Sequence, residues 1–113
     1  MKHNEDGARA EDEVATYLRQ RGYTIRDRNW KTPKCEIDIV AEKDGCIYFV
    51  EVKYRSNAAQ GDGFDYITLA KRRQMAYAAE TWVSKHRWQG EYVLSGAAVS
   101  GQGMNVDFID VIS

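Results

Sequence analysis

One dipeptide constrains this chain more than any other feature. Asp44-Gly45 stands between two runs of strand-forming residues, in the context Lys43-Asp44-Gly45-Cys46. Both central residues of a two-residue hairpin turn need positive φ, which Asp-Gly supplies. The runs from Glu36 to Ala41 and from Cys46 to Tyr54 therefore read as the two strands of one antiparallel hairpin. If Asp44 and Gly45 form the loop, Lys43 pairs with Cys46. The same register sets Asp38 opposite Glu51, and Glu36 opposite Lys53. A three-residue loop would shift the pairing by one and send Asp38 and Glu51 to opposite faces. Along the second run, Ile47, Phe49, Glu51 and Lys53 face one way; Tyr48, Val50, Val52 and Tyr54 face the other. The second face is apolar or aromatic throughout, so this strand is expected at the centre of a sheet covered on both sides.

The other elements arrange themselves around this hairpin. A helix is expected from Gly7 to Arg21, with an apolar stripe of Val14, Ala15 and Leu18, and Gly22 as its stop. Stepping back three residues from Val14 lands on Glu11, which shares that face. Tyr23 to Trp30 reads as a strand, and Ser56 to Asp65 as a loop. A second helix runs from Ile67 to Lys85, with the stripe Ile67, Lys71, Met75, Ala78 and Trp82. Tyr92 to Ser100 and Asn105 to Ile112 read as two closing strands around Gly101-Gln102-Gly103. The order is helix, three strands, helix, two strands. It predicts an α/β fold with a mixed central sheet of about five strands flanked by helices on both faces. At 113 residues the chain is expected to be one domain, residues 1–113, large enough to bury a core.

The hairpin face carries the chemistry. Two carboxylates directly opposite on neighbouring strands repel each other, so something must compensate. Lys53 is one compensator. A divalent cation such as Mg²⁺ is a better one, because hard oxygen ligands suit it. The bland reading is a charge-paired hairpin with a Glu36–Lys53 ion pair. Glu11 adds a third carboxylate from the helix, since a charge on a buried stripe is costly unless paired or metal-bound. Its alternative is an edge position from which the side chain reaches solvent.

The stretches Gly7-Ala8-Arg9-Ala10-Glu11, Gly22-Tyr23, Arg28-Asn29-Trp30, Glu36-Ile37-Asp38 and Phe49-Val50-Glu51-Val52-Lys53-Tyr54-Arg55-Ser56 together resemble the UPF0102 (YraN-like) family. That family belongs with the PD-(D/E)XK nuclease superfamily and is related to archaeal Holliday junction resolvases. The resemblance extends to Ile67, Lys71 and Phe108-Ile109-Asp110-Val111. Cys35 stands where the family usually has Gly, and no proline precedes Asp38. The resemblance implies a restriction-endonuclease-like core and a metal-dependent DNA endonuclease using Mg²⁺ or Mn²⁺, with branched or structured DNA as one substrate class. In that reading Asp38 and Glu51 are metal ligands, the Val52 carbonyl is a third, and Glu11 completes or supports the shell. Lys53 positions the attacking water or meets charge on the phosphate. Arg55, Lys71 and Arg72 are candidate DNA contacts; their alternatives are a surface arginine, a snorkelling lysine and a solvated helical run. The resolvase relatives act as dimers, which makes a homodimer one expectation. The other functional class is a non-catalytic nucleic-acid-binding or protein-interaction module that retains the fold.

Charge and cysteine content bound the partners. The net charge is −1, which taken alone argues against nucleic acid. It is unevenly spread: residues 53–87 carry seven Lys/Arg against three Asp/Glu, while the flanking segments are acidic. A bound divalent cation would offset part of the acidic cluster, so without Mg²⁺ the chain is expected to hold DNA poorly. Cys35 and Cys46 form no metal or disulfide framework and read as reduced thiols of a cytoplasmic protein. The longest apolar run, Cys46 to Val50, is five residues, far short of the ~20 needed to cross a membrane. No apolar stretch follows the charged start, so no secretory signal is read there.

Overall fold

A computed structural model describes residues 5–56 and 63–112. The elements run α1 (Glu5–Gln20), β1 (Thr24–Thr32), β2 (Cys35–Lys43), β3 (Cys46–Arg55), α2 (Leu69–His86), β4 (Glu91–Ser100) and β5 (Asn105–Ile109). Every expected element is present. The ends differ by a few residues, and β5 stops at Ile109 rather than Ile112. Much of the loop expected over 56–65 lies outside the described residues.

The sheet has the spatial order β1-β2-β3-β4-β5. All neighbours are antiparallel except β3 and β4, which run parallel and pair residue for residue from Cys46–Glu91 to Arg55–Ser100. A parallel pair needs a long crossover, and α2 supplies it. β3 is therefore the central strand, as its two apolar faces require. The hairpin register is the expected one: Lys43 pairs with Cys46, and the ladder continues through Glu42–Ile47, Ala41–Tyr48 and Val40–Phe49. Asp44 and Gly45 have φ of 52° and 78°, the pair of positive values that a two-residue turn demands. β1 is less regular than the sequence suggested. Its register slips between Ile25 and Asp27, and Asn29 has a φ of 52°.

The sheet separates two cores. On one face Ala10, Val14, Ala15 and Leu18 of α1 meet Ile39, Ala41, Val50, Ala97 and Val99, with Tyr48, Val52 and Tyr54 packed against them. On the other, Ala78, Ala79 and Trp82 of α2 meet Val40, Ile47 and Phe49, with Trp30 and Trp88 at the margin. The three tryptophans are thus packing residues. Trp82 is fully buried, stands edge-on to Phe49 at 5.6 Å, and donates its indole N–H to Asp27 Oδ2 at 2.8 Å. His86 stacks on Trp82 at 4.0 Å, at the C-terminal end of α2. This is the two-sided mixed sheet of a restriction-endonuclease-like core. No helix among the described residues is long and apolar enough to cross a membrane.

Gly96 on β4 pairs with Glu51 on β3 and makes room for the segment leading into α2. A β-carbon at Gly96 would lie 2.9 Å from Ile67 Cδ1 and 3.4 Å from the Tyr66 hydroxyl. The absence of a side chain lets this segment lie directly on the sheet.

Because Trp82 fills the α2 face and satisfies a polar partner on β1, Trp82→Ala is expected to lower unfolding free energy by about 3–5 kcal/mol in urea titration. Trp82→Phe keeps most of the volume, loses the bond to Asp27, and should cost clearly less.

Candidate active site

The β2–β3 ladder stops one residue short of the acidic pair. Its last partners are Ile39 and Val50. Beyond them the Asp38 side chain turns into the gap between the strands, and its Oδ2 accepts the Val52 backbone N–H at 2.8 Å. Asp38 and Glu51 are therefore neighbours, as the register predicted, but they are not ladder partners. Nor are Glu36 and Lys53. Lys53 is exposed and forms no ion pair among the described residues, so the charge-paired hairpin is not formed there.

Burial dominates the electrostatics of Asp38. It pushes the carboxyl up to about 7; Glu51 adds to the rise, the Val52 N–H opposes it, and Glu11 and Glu36 add smaller increments. Glu11 is half-buried beside Ala10 on α1, close enough for its charge to be felt at Asp38. No group of three or more His, Cys, Asp and Glu side chains among the described residues could hold a metal ion. The acidic side chains that the cleft would offer a divalent ion are the pair Asp38 and Glu51, with Glu11 near enough to add to the field at Asp38. The donor chemistry fits such an ion. Hard carboxylate oxygens, one of them raised by burial and then by its neighbour, are groups that a divalent cation would allow to ionise together.

Glu51 is held at both ends. Its backbone carbonyl accepts the Tyr66 hydroxyl at 3.0 Å. Its Oε2 receives the Lys71 ammonium at 3.3 Å. Lys71 reaches it from the first turn of α2, where Thr68 caps the helix by accepting the Lys71 N–H. Burial, then the Glu51 and Asp38 charges, push the Tyr66 phenol up, so it stays a donor. Tyr66 was not singled out from the sequence, where it stands between the expected loop and the expected second helix; Gly96 and the parallel β3–β4 pairing bring it to Glu51.

Asp38 and Glu51 open onto a cleft of about 650 Å³. Its walls combine acidic Glu36, Asp38 and Glu51 with basic Lys34, Lys71 and Arg73. The expected DNA contacts fare differently. Lys71 lines the cleft but meets Glu51. Arg55 is paired with Asp65 and does not line it. Arg72 is half-buried and outside the lining, whereas the next residue, Arg73, is exposed and lies in it. Free Cys35 also borders the cleft, at the position where glycine was expected.

Taken together, the fold and this acidic, lysine-bearing cleft define an α/β protein of the restriction-endonuclease-like class. The chain matches the model of the family described as "Uncharacterised protein family UPF0102" over residues 10–113. A UPF0102 protein of Cytophaga hutchinsonii is 32% identical over 111 residues, covering 98% of both chains. A UPF0102 protein of Phocaeicola vulgatus is 40% identical over 84 residues, 74% of this chain and 69% of its own. One of Myxococcus xanthus is 36% identical, covering 79% and 71%. The chain belongs to the UPF0102 family.

The raised Asp38 carboxyl has a stability consequence. Its folded value of about 7 lies above the ordinary 3.8, so the folded protein binds that proton more tightly than the unfolded chain does. The protein is thus free of the ionisation penalty below about pH 4 and acquires it as pH rises through 7. Asp38→Asn removes the penalty. The variant should be more stable than the parent by about 1–3 kcal/mol at pH 8, with the difference closing at pH 4, in paired urea titrations without divalent ions.

Proposed function

We propose that this protein is a metal-dependent DNA endonuclease that hydrolyses phosphodiester bonds. The single observation that carries the reading is the juxtaposition of Asp38 and Glu51 in the cleft, beyond the end of the β2–β3 ladder, with Lys53 two residues along β3. The UPF0102 membership and the restriction-endonuclease-like sheet support it.

Each residue has a task that the chemistry requires. Asp38 and Glu51 would hold the divalent ion, Mg²⁺ or Mn²⁺, together with the Val52 carbonyl. When bound, the ion lowers the pKa of a coordinated water and neutralises phosphate charge. Glu11 adds negative field that favours a cation. Lys53, exposed and without an ion-pair partner among the described residues, is available to orient the water or to meet charge developing on the phosphate. Tyr66 holds the β3 backbone at Glu51. Arg73 and Lys34 offer positive charge along the cleft for the DNA backbone, while Arg55, held by Asp65, and Arg72 are better assigned to local structure than to DNA.

Branched or structured DNA is the proposed substrate class, and a homodimer would present two such clefts to its two strands. The free thiols of Cys35 and Cys46 suit a reducing, cytoplasmic setting. A second reading draws on the Lys71–Glu51 ion pair: a module that only binds nucleic acid would keep that pair as a structural tie. It predicts salt-sensitive DNA retention, unaffected by Glu51→Ala and weakened by Arg73→Ala.

Linear, flapped and four-way DNA incubated with Mn²⁺ discriminates these readings. Cleavage of at least one substrate is expected, lowered about 100-fold or more by Asp38→Ala, Glu51→Ala or Lys53→Ala. Cleavage that survives all three substitutions overturns the assignment. DNA retention without any cleavage favours the binding module.

A further inference from the structure

Lys71 has no role in the chemistry above, yet its ammonium is placed on the side-chain oxygen of a proposed metal ligand. The contact is 3.3 Å, and the two side chains are only 34% and 22% exposed, so solvent screens the pair less than it would a surface ion pair. Its geometry is built rather than incidental. Thr68 fixes the first turn of α2 and accepts the Lys71 N–H at 3.1 Å. Tyr66, two residues upstream of the cap, fixes the Glu51 backbone. Both ends of the pair are thereby anchored to one short segment, which Gly96 allows onto the sheet. Met75, one turn further along α2, is buried and borders the same cleft as Lys71.

We propose that Lys71 is an internal counter-ion that occupies Glu51 in the metal-free protein and yields it when a divalent ion binds, which frees the ammonium to meet a substrate phosphate. The inference rests on the metal-dependent reading of the site. Glu51 sits beside Asp38, and an ionised carboxylate in a partly buried cleft is stabilised by a positive charge held against it. Lys71 supplies it when no ion is present. A divalent ion bound by Glu51 competes with that ammonium for the same carboxylate and repels it. The two cations are thus antagonists, and by linkage each weakens the other's hold on Glu51 by the same factor. A released ammonium on the wall of a cleft that also carries Arg73 and Lys34 is then positioned for an anion. Lys71 is a positioning residue for the ion and becomes a substrate contact only after the exchange.

Two measurements that need no cleavage test this. Mn²⁺ binding is followed by electron paramagnetic resonance on the parent protein and on Lys71→Met. Amine labelling of the parent, read by mass spectrometry at Lys71, is compared with and without saturating Mg²⁺. The expected results are Mn²⁺ affinity about three- to tenfold tighter in Lys71→Met, and labelling of Lys71 severalfold faster when Mg²⁺ is present, with Lys85 as the unchanged reference. If Mn²⁺ binds the parent but neither affinity nor labelling changes, the counter-ion role is overturned and the metal site stands. If the parent binds no Mn²⁺, the metal-dependent reading fails and the exchange fails with it. The labelling arm uses the parent alone, so it decides the question even if Lys71→Met does not fold.

Discussion

The hydrogen bond from the Val52 N–H to the Asp38 carboxylate is the contact on which the site depends. A regular antiparallel ladder would continue with backbone partners on both strands. Here it ends at Ile39–Val50, and a side chain takes the next N–H at 2.8 Å. The strands can then carry polar residues beyond the ladder, and two carboxylates share the resulting space. Burial first, and then the nearby Glu51 charge, drive Asp38 towards its protonated form. A fold that maintains this arrangement holds electrostatic free energy that a bound cation would release.

The neighbouring elements are arranged to hold that arrangement in place. β3 sits at the centre of the sheet with apolar layers on both sides, so its backbone has little freedom to relieve the repulsion. The parallel β3–β4 pairing places Gly96 beside Glu51. That glycine admits Tyr66 and Ile67, and through them the start of α2. Helix α2 delivers Lys71 to Glu51 and, one turn later, anchors itself through Met75. A single crossover connection thus covers the sheet and also balances the charge in the cleft.

Legibility followed the range of the interaction. Asp44-Gly45 and the alternation from Ile47 to Tyr54 act over a few residues, and they were enough for the hairpin register and the two faces of β3. The stripes of α1 and α2 were read from their period, and Val14, Ala15, Leu18, Met75, Ala78 and Trp82 are all buried as expected. The register extrapolated past Ile39 was too regular, because a side chain that replaces a backbone acceptor leaves no trace in a pattern of apolar residues. The cationic residues were the least legible. Long, flexible side chains reach whichever anion the fold brings near, so Arg55 went to Asp65 and Lys71 to Glu51, and the position beside Arg72 took the cleft.

Local patterning alone determined that this chain makes a two-sided α/β sheet with Asp38, Glu51 and Lys53 on one hairpin, because turn chemistry and period-two burial are set by neighbours in sequence. Tertiary structure decided which cation answers which carboxylate and where the ladder gives way. Those choices depend on elements far apart in the chain, β4, α2 and the segment through Tyr66, meeting at one point on β3. Charge pairing falls off with distance through space and takes no account of separation along the chain.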